Sequence, residues 1–108
     1  MLPNRTVLHQ ELVTTSGTNR VYFQPPENIK LQYPCVIYTR SSVRPRHAND
    51  QVYTTHDLFT VTYISKDPDD QAPDRMLSGI RGARFDRSYA SNNLHHTVLI
   101  ITTDRRNP

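Results

Sequence analysis

The chain has 108 residues, of which 35% are hydrophobic and 21% are charged. This length suits a single domain spanning residues 1–108, and the composition is polar for a globular protein but not polar enough for a disordered one. A net charge of +3 is too small to bind nucleic acid by charge alone, and no apolar run is long enough to span a membrane.

The only cysteine, Cys35, excludes a disulfide within the chain. It lies in the apolar run PCVIY, which predicts a buried thiol that packs rather than reacts. The N-terminal residues lack the apolar core and cleavage site of a signal peptide. We therefore expect a protein that is made in a reducing cytosol, or that belongs to an assembly built there.

The first predicted element is a helix from about Asn4 to Thr15. One face of this helix, at helical spacing, consists of Val7, Leu8, Glu11, Leu12 and Thr15. A short extended segment follows from Arg20 to Gln24. It ends at Pro25 and Pro26, which exclude a helix and favour extended conformations.

A strand is predicted over Pro34–Arg40, with apolar residues on both faces near its start, as in an interior strand. The stretch SSVRPRHAND, Ser41–Asp50, contains a proline and several turn formers and predicts a loop. The clearest strand runs from Gln51 to Ser65 and is rich in Thr, Tyr, Val and Ile. Its two alternating faces are Asp57, Phe59, Val61 and Tyr63 on one side and Leu58, Thr60, Thr62 and Ile64 on the other.

The aspartates of KDPDD, Lys66–Asp70, end this strand and suit the N-terminus of a helix, through capping and the helix dipole. That helix is predicted over Gln71–Ile80, ending at Gly79 or Gly82. Its apolar stripe consists of Ala72, Met76, Leu77 and Ile80.

Two strands complete the pattern: Ala83–Tyr89, with Phe85 on the core side, and Leu94–Thr103. A turn over Ala90–Asn93 connects them, and the tail 104–108 is expected to be exposed and mobile. The order of helix, strands, helix and strands predicts an α+β domain, an antiparallel β-sheet with two α-helices packed on one face.

No residue pattern predicts a catalytic or metal site. His95 and His96 are adjacent in a predicted strand, so their side chains lie on opposite faces of the sheet. His47 and His56 do not have metal-ligand spacing to Cys35. No serine, histidine and carboxylate are placed as a nucleophile with its base. We therefore expect no enzyme activity, no metal and no cofactor.

Aromatic residues alternate with arginines along the chain. Both residue types are enriched at protein interfaces, while the same combination on a sheet can also stack against nucleic-acid bases. Two interpretations follow, a protein assembly subunit and a small basic nucleic-acid-binding module. The arginine clusters are Arg40, Arg44 and Arg46, then Arg81, Arg84 and Arg87, and finally Arg105 and Arg106.

Several blocks of sequence occur in a recognisable order between about Arg20 and Thr102. They are a double proline and a YP pair within VYFQPPENIKLQYPCVIY, the loop RPRHANDQVY, the strand and turn TVTYISKDPD, and the hairpin FDRSYASNNLHHTVL. Together they resemble the tail-completion proteins of tailed bacteriophages, and among these the tail terminators.

The resemblance implies an antiparallel sheet with helices on one side and a ring, usually hexameric, at the head-proximal end of the tail tube. Such a ring stops tube polymerisation, contacts the tube protein and offers a surface to neck or head-completion proteins. The family works in the virion after assembly in the host cytoplasm, without cofactor or enzyme activity, and genomic DNA passes through the ring without specific binding. Another neck or head–tail joining protein remains an alternative.

A ring subunit needs protein–protein contact surfaces. The loop Ser41–Asp50 and the C-terminal tail are the segments best placed to leave the core and touch a neighbour. The candidate contacts to subunits, tube or neck are Tyr22, Phe23, Arg44, Arg46, His47, Asn49, Tyr53, Arg84, Arg87, Arg105 and Arg106.

Overall fold

The structure, a computed structural model, describes residues 4–26, 28–48 and 51–106, with the side chains of residues 5–26, 28–41 and 57–103. These residues form the predicted mixed α+β fold, with two helices and one five-stranded sheet. In chain order the elements are α1 (Asn4–Ser16), β1 (Val21–Phe23), β2 (Cys35–Ala48), β3 (Gln51–Ser65), α2 (Ala72–Gly79), β4 (Ala83–Ser91) and β5 (Leu94–Arg106).

The strands lie in the order β1-β2-β3-β5-β4. Three neighbouring pairs are antiparallel, as predicted, but β1 and β2 are parallel, with Val21 opposite Val36. The prediction of a wholly antiparallel sheet is therefore wrong at this edge. Between Phe23 and Cys35 the chain returns to the starting end of β1 before β2 begins, which is the crossover that parallel neighbours require.

Both helices pack on the same face of the sheet. Their buried side chains, Leu8 and Leu12 of α1 and Ala72 and Met76 of α2, belong to one core cluster. The sheet residues of this cluster are Val21, Val36, Tyr38, Phe59, Val61, Tyr63, Leu99 and Ile101. The alternation predicted for β3 is thus confirmed, with Phe59, Val61 and Tyr63 on the face that packs in the core. The predicted burial of Cys35 is also confirmed, and that burial raises the pKa of its thiol.

Two side chains predicted to face the core are instead exposed. Val7 is 42% exposed, because the α1 face that contacts the sheet is centred on Leu8 and Leu12, one turn apart. Phe85 is 56% exposed although it lies opposite Leu99 on the helix side of the sheet. It belongs to β4, which is an edge strand of the described sheet, and every residue of β4 after Ala83 is exposed.

The predicted loop over residues 41–50 is wrong within the described residues, because Ser41–Ala48 continue β2 and pair with β3. Pro45 is tolerated there because β1 pairs only with Val36–Tyr38, and further along β2 a proline on the outer edge loses no ladder hydrogen bond. Asn49 and Asp50 lie outside the described residues.

The C-terminal residues also differ from expectation. Asp104–Arg106 belong to β5 and pair with Thr54–His56, so the predicted tail is a strand as far as Arg106, while residues 107–108 lie outside the described part. The β4–β5 turn is tighter than predicted, because Ala90 and Ser91 remain in β4. Asn92 and Asn93 alone make the turn, with φ of 55° and 63°, the left-handed values of a two-residue hairpin.

Candidate interaction surfaces

Three strands extend together at one end of the sheet, in a segment that we call the arm (residues 42–48 of β2, 51–56 of β3 and 104–106 of β5). The register places residues of the three strands in rows, which are Arg44–His56–Asp104, Pro45–Thr55–Arg105 and Arg46–Thr54–Arg106. Neighbouring strands are about 4.8 Å apart, so Arg46 and Arg106 occupy positions about 10 Å apart across the arm. The arm therefore gathers four of the predicted contact arginines.

A bulge in β2 determines the face of the sheet on which the register positions of Arg44 and Arg46 lie. Arg40 lies opposite Phe59 on the helix side, with its guanidinium carbon 5.5 Å from the centre of the Phe59 ring. The register shifts at Ser41, whose hydroxyl donates to the carbonyl oxygen of Leu58 over 2.9 Å. Ser42 then pairs with Leu58, so the following register positions of β2 move to the opposite face.

That opposite face, which we call the open face, carries two further predicted contacts on β4. Arg84 lies opposite Ile100 and Arg87 opposite Val98, and both arginines are exposed. Arg87 Nη1 is 3.5 Å from Asp86 Oδ2, an exposed ion pair of little energetic value. The register positions of Arg44, Arg46 and Arg106 lie on the same open face.

The remaining predicted contact residues lie in different parts of the chain. His47 and Tyr53 lie in the arm, and Asn49 lies outside the described residues. Tyr22 is half-buried opposite Ile37 on β1, across the sheet from β4. Phe23 packs against the core, where its ring lies 5.1 Å from that of Tyr38. The structure therefore brings the arm residues together and leaves the β1 aromatics apart from them.

The proline-rich segment after β1 borders an apolar groove of about 440 Å³. Gln24 ends the pairing of β1, since its N–H donates to the Tyr38 carbonyl over 2.9 Å and its Oε1 accepts from the Arg40 N–H over 3.3 Å. The groove is open and shallow, and its residues include Pro25, Pro26, Ile29, Leu31 and Ile37. Its apolar walls are typical of a packing surface rather than of a site for a charged ligand.

A second depression, the α2–β4 cleft, was not predicted from the sequence. It has a volume of about 350 Å³. Its lining includes Asp69, Asp70, Asp74, Leu77, Phe85 and Ser88. The aspartates come from the start of α2 and the exposed aromatic ring from β4. The nearest sequence signal was KDPDD, which predicted a helix cap but gave no sign that β4 would bring Phe85 beside it.

Asp70 holds the wall of this cleft in place. Its Oδ1 accepts from the Ala72 N–H over 2.9 Å, and its Oδ2 accepts from the Tyr63 hydroxyl over 2.7 Å and from Ser65 Oγ over 2.9 Å. An aspartate of KDPDD thus bonds the start of α2 as predicted, although from the position before the N-cap, Gln71, whose own side chain makes no cap hydrogen bond. Burial raises the pKa of Asp70, but these hydrogen bonds and the charge of Arg75 outweigh burial and lower it below its usual value. Burial and the Asp70 carboxylate raise the pKa of Tyr63.

Within the described ranges, no group of three or more His, Cys, Asp or Glu side chains could hold a metal ion. His95 and His96 occupy opposite faces as predicted, and the His96 ring stacks on Tyr89 with centroids 4.6 Å apart. No helix in the described part of the chain is long and apolar enough to cross a membrane.

Searches against protein-family models and curated proteins found no match to this sequence.

Proposed function

We propose that this chain is a ring-forming structural subunit of a phage tail, a tail terminator that caps the head-proximal end of the tail tube and joins it to the neck. The observation that carries the proposal is the ordered set of sequence blocks between Arg20 and Thr102, which resembles that family. A different neck or head–tail joining protein is the nearest alternative.

The positions of these blocks in the fold support the proposal. RPRHANDQVY contributes to the arm, TVTYISKDPD forms the end of β3 and the capped entry to α2, and FDRSYASNNLHHTVL forms the hairpin of β4 and β5. The first block contains β1, the proline segment and the start of β2. All four blocks thus border surfaces open to another protein, at the arm, the α2–β4 cleft and the apolar groove.

The outer strand of the sheet also favours assembly. β4 has nine residues, and all but its first are exposed, including Phe85 and Tyr89 at 56% and 46%. An edge strand of this length, with exposed aromatic residues, pairs readily with other chains unless it is protected. A subunit that functions inside a ring covers such a surface through its neighbours.

Two measurements on the wild-type protein distinguish a ring subunit from a nucleic-acid-binding module. We expect light scattering to show a closed oligomer, and a titration with duplex DNA to show no steeply salt-dependent binding. A monomer that binds DNA with a steep salt dependence would contradict the proposal. That result would favour a basic module using the arginines of the open face.

A further inference from the structure

We propose that the arm of one copy docks in the α2–β4 cleft of the next copy, and that this contact closes the ring. The inference rests on the proposed function, because it supplies the subunit interface of that ring. It commits to a second copy of this chain as the occupant of the cleft. Charge complementarity, an exposed aromatic ring in the lining of the cleft and the distance between the two surfaces support this contact.

The two surfaces carry opposite charge. The three rows of the arm contain four arginines, Arg44, Arg46, Arg105 and Arg106, against one carboxylate, that of Asp104. The rim of the cleft carries Asp69 and Asp74, both exposed, and Asp70 lies in its wall. Opposite charges on two patches guide encounter and fix register.

The apolar part of the cleft lining also favours a partner that carries arginines, independently of charge. Phe85 and Leu77 provide apolar surface in the cleft, and Phe85 is 56% exposed. A guanidinium stacks on an aromatic ring while its N–H groups donate to carboxylates, which the more compact lysine ammonium does less well. The arm contains arginines and no lysine.

The distance along the sheet excludes docking within one chain. Thr97 lines the cleft and lies opposite Tyr63, whereas Arg106 lies opposite Thr54 in the arm. Nine residues of β3 separate these positions, a distance of about 30 Å at the rise of a β-strand. The arm must therefore reach the cleft of another copy, and two different patches that meet in this way form a heterologous contact, the kind from which a ring is built when the rotation between neighbours closes.

Two charge-reversal variants test the contact. Arg105→Glu with Arg106→Glu reverses the arm, and Asp69→Arg with Asp74→Arg reverses the cleft. We expect each variant alone to assemble about tenfold more weakly or worse, since like charges then face each other. A matched control, Lys30→Glu with Arg81→Glu, makes the same change in net charge as the arm variant at exposed positions outside both surfaces, and we expect it to assemble like wild type.

Mixing the two variants gives the sharpest readout. In an equal mixture, each reversed arm meets a reversed cleft and each native arm meets a native cleft, so alternating rings should form at concentrations where each variant alone assembles weakly. Light scattering at low salt measures this recovery, and circular dichroism checks that both variants fold. Because exposed charges are screened by salt, we also expect wild-type assembly to weaken as salt rises.

The outcomes separate this inference from the proposed function. If wild-type rings form and neither reversal weakens them, or if the mixture fails to recover assembly, the arm–cleft contact is overturned while the ring stands. If the wild-type protein stays monomeric at low salt up to its limit of solubility, both are overturned. Weakening of DNA binding by the arm variant, without any change in assembly, would assign the arm to nucleic acid instead.

Discussion

The side chain of Asp70 joins three parts of the fold: the end of β3, the start of α2 and the wall of the α2–β4 cleft. It accepts hydrogen bonds from Tyr63, Ser65 and the Ala72 N–H. A carboxylate so placed satisfies one of the N–H groups that a helix start leaves without a partner. Sequence reasoning could identify the cap because it is local. It could not identify the Tyr63 contact, which depends on packing.

Replacing Asp70 with Asn should destabilise the protein and flatten its pH dependence at acid pH. The pKa of Asp70 is lowered in the folded state, so its contribution is present above the unfolded pKa of about 3.9 and is lost as pH falls through the folded value. We expect Asp70→Asn to cost about 1–2 kcal/mol at neutral pH, because the amide keeps an oxygen for the Ala72 N–H but its NH₂ group cannot accept from Tyr63 and Ser65. Denaturant unfolding at pH 7 and pH 3 measures both effects.

The exposed Asp86 provides the control for this prediction, because Asp86→Asn should change the free energy of unfolding by less than about 0.5 kcal/mol. Glu11 acts in the opposite direction, since burial raises its pKa and acidification relieves that cost. The difference between wild type and Asp70→Asn removes this background. Equal pH dependence in the two proteins would show that Asp70 is not the group responsible.

Gly82 occupies a position that only glycine fits well. Its φ is +85°, and an added Cβ would collide with the carbonyl oxygen of Thr102. Gly17 has a similar φ of +77°, but its Cβ would make only ordinary contact, 3.5 Å from Arg75 Nη2. We expect Gly17→Ala to cost about 1 kcal/mol and Gly82→Ala distinctly more, measured by thermal unfolding. Equal costs would show that the Thr102 contact relaxes freely.

Among the elements, the strand β3 was predicted with the correct bounds because its alternation is long and regular. The β2 part of the arm was misread as a loop because Pro45 and the polar residues around it indicate a turn in isolation. Pairing with β3 on one side overrides that local signal. On the other side β2 has no neighbouring strand here, so a missing N–H costs no ladder hydrogen bond. The strand character of residues 41–48 thus depends on neighbours that are distant in sequence.

The helix α1 shows the same difference between a local and a packed face. Leu12 is fully buried in the core, whereas Val7 is 42% exposed. We expect Leu12→Ala to cost about 2–5 kcal/mol, because it removes buried atoms and leaves a cavity. Val7→Ala should cost less than about 0.5 kcal/mol. Urea unfolding of both variants measures this contrast, and similar losses would contradict the packing of α1 described above.

At the scale of the whole molecule, half of the proposed interface could be predicted and half could not. Arg44, Arg46, Arg105 and Arg106 were identified as contact candidates from the sequence. Their meeting in one arm depends on strand register and on a bulge, which no local pattern reports. The cleft was missed because the period-two pattern gives the face of Phe85 but not whether a helix covers that face.

The elongated shape of the molecule follows from the same features. Its longest dimension is 51 Å, close to the length of the fifteen-residue strand β3 at about 3.3 Å per residue. The arm lies at one end of this strand, and the capped turn and acidic cleft lie at the other. A subunit with unlike ends is suited to heterologous assembly, which is what a ring requires.

The capping role is tested most directly by electron microscopy of phage particles assembled without this protein. We expect tail tubes that grow past their normal length and that do not join heads, because nothing stops polymerisation or presents the neck surface. Restoring the wild-type protein in trans should restore tails of uniform length attached to heads. Tails of normal length, joined to heads in the absence of this chain, would contradict the proposed function.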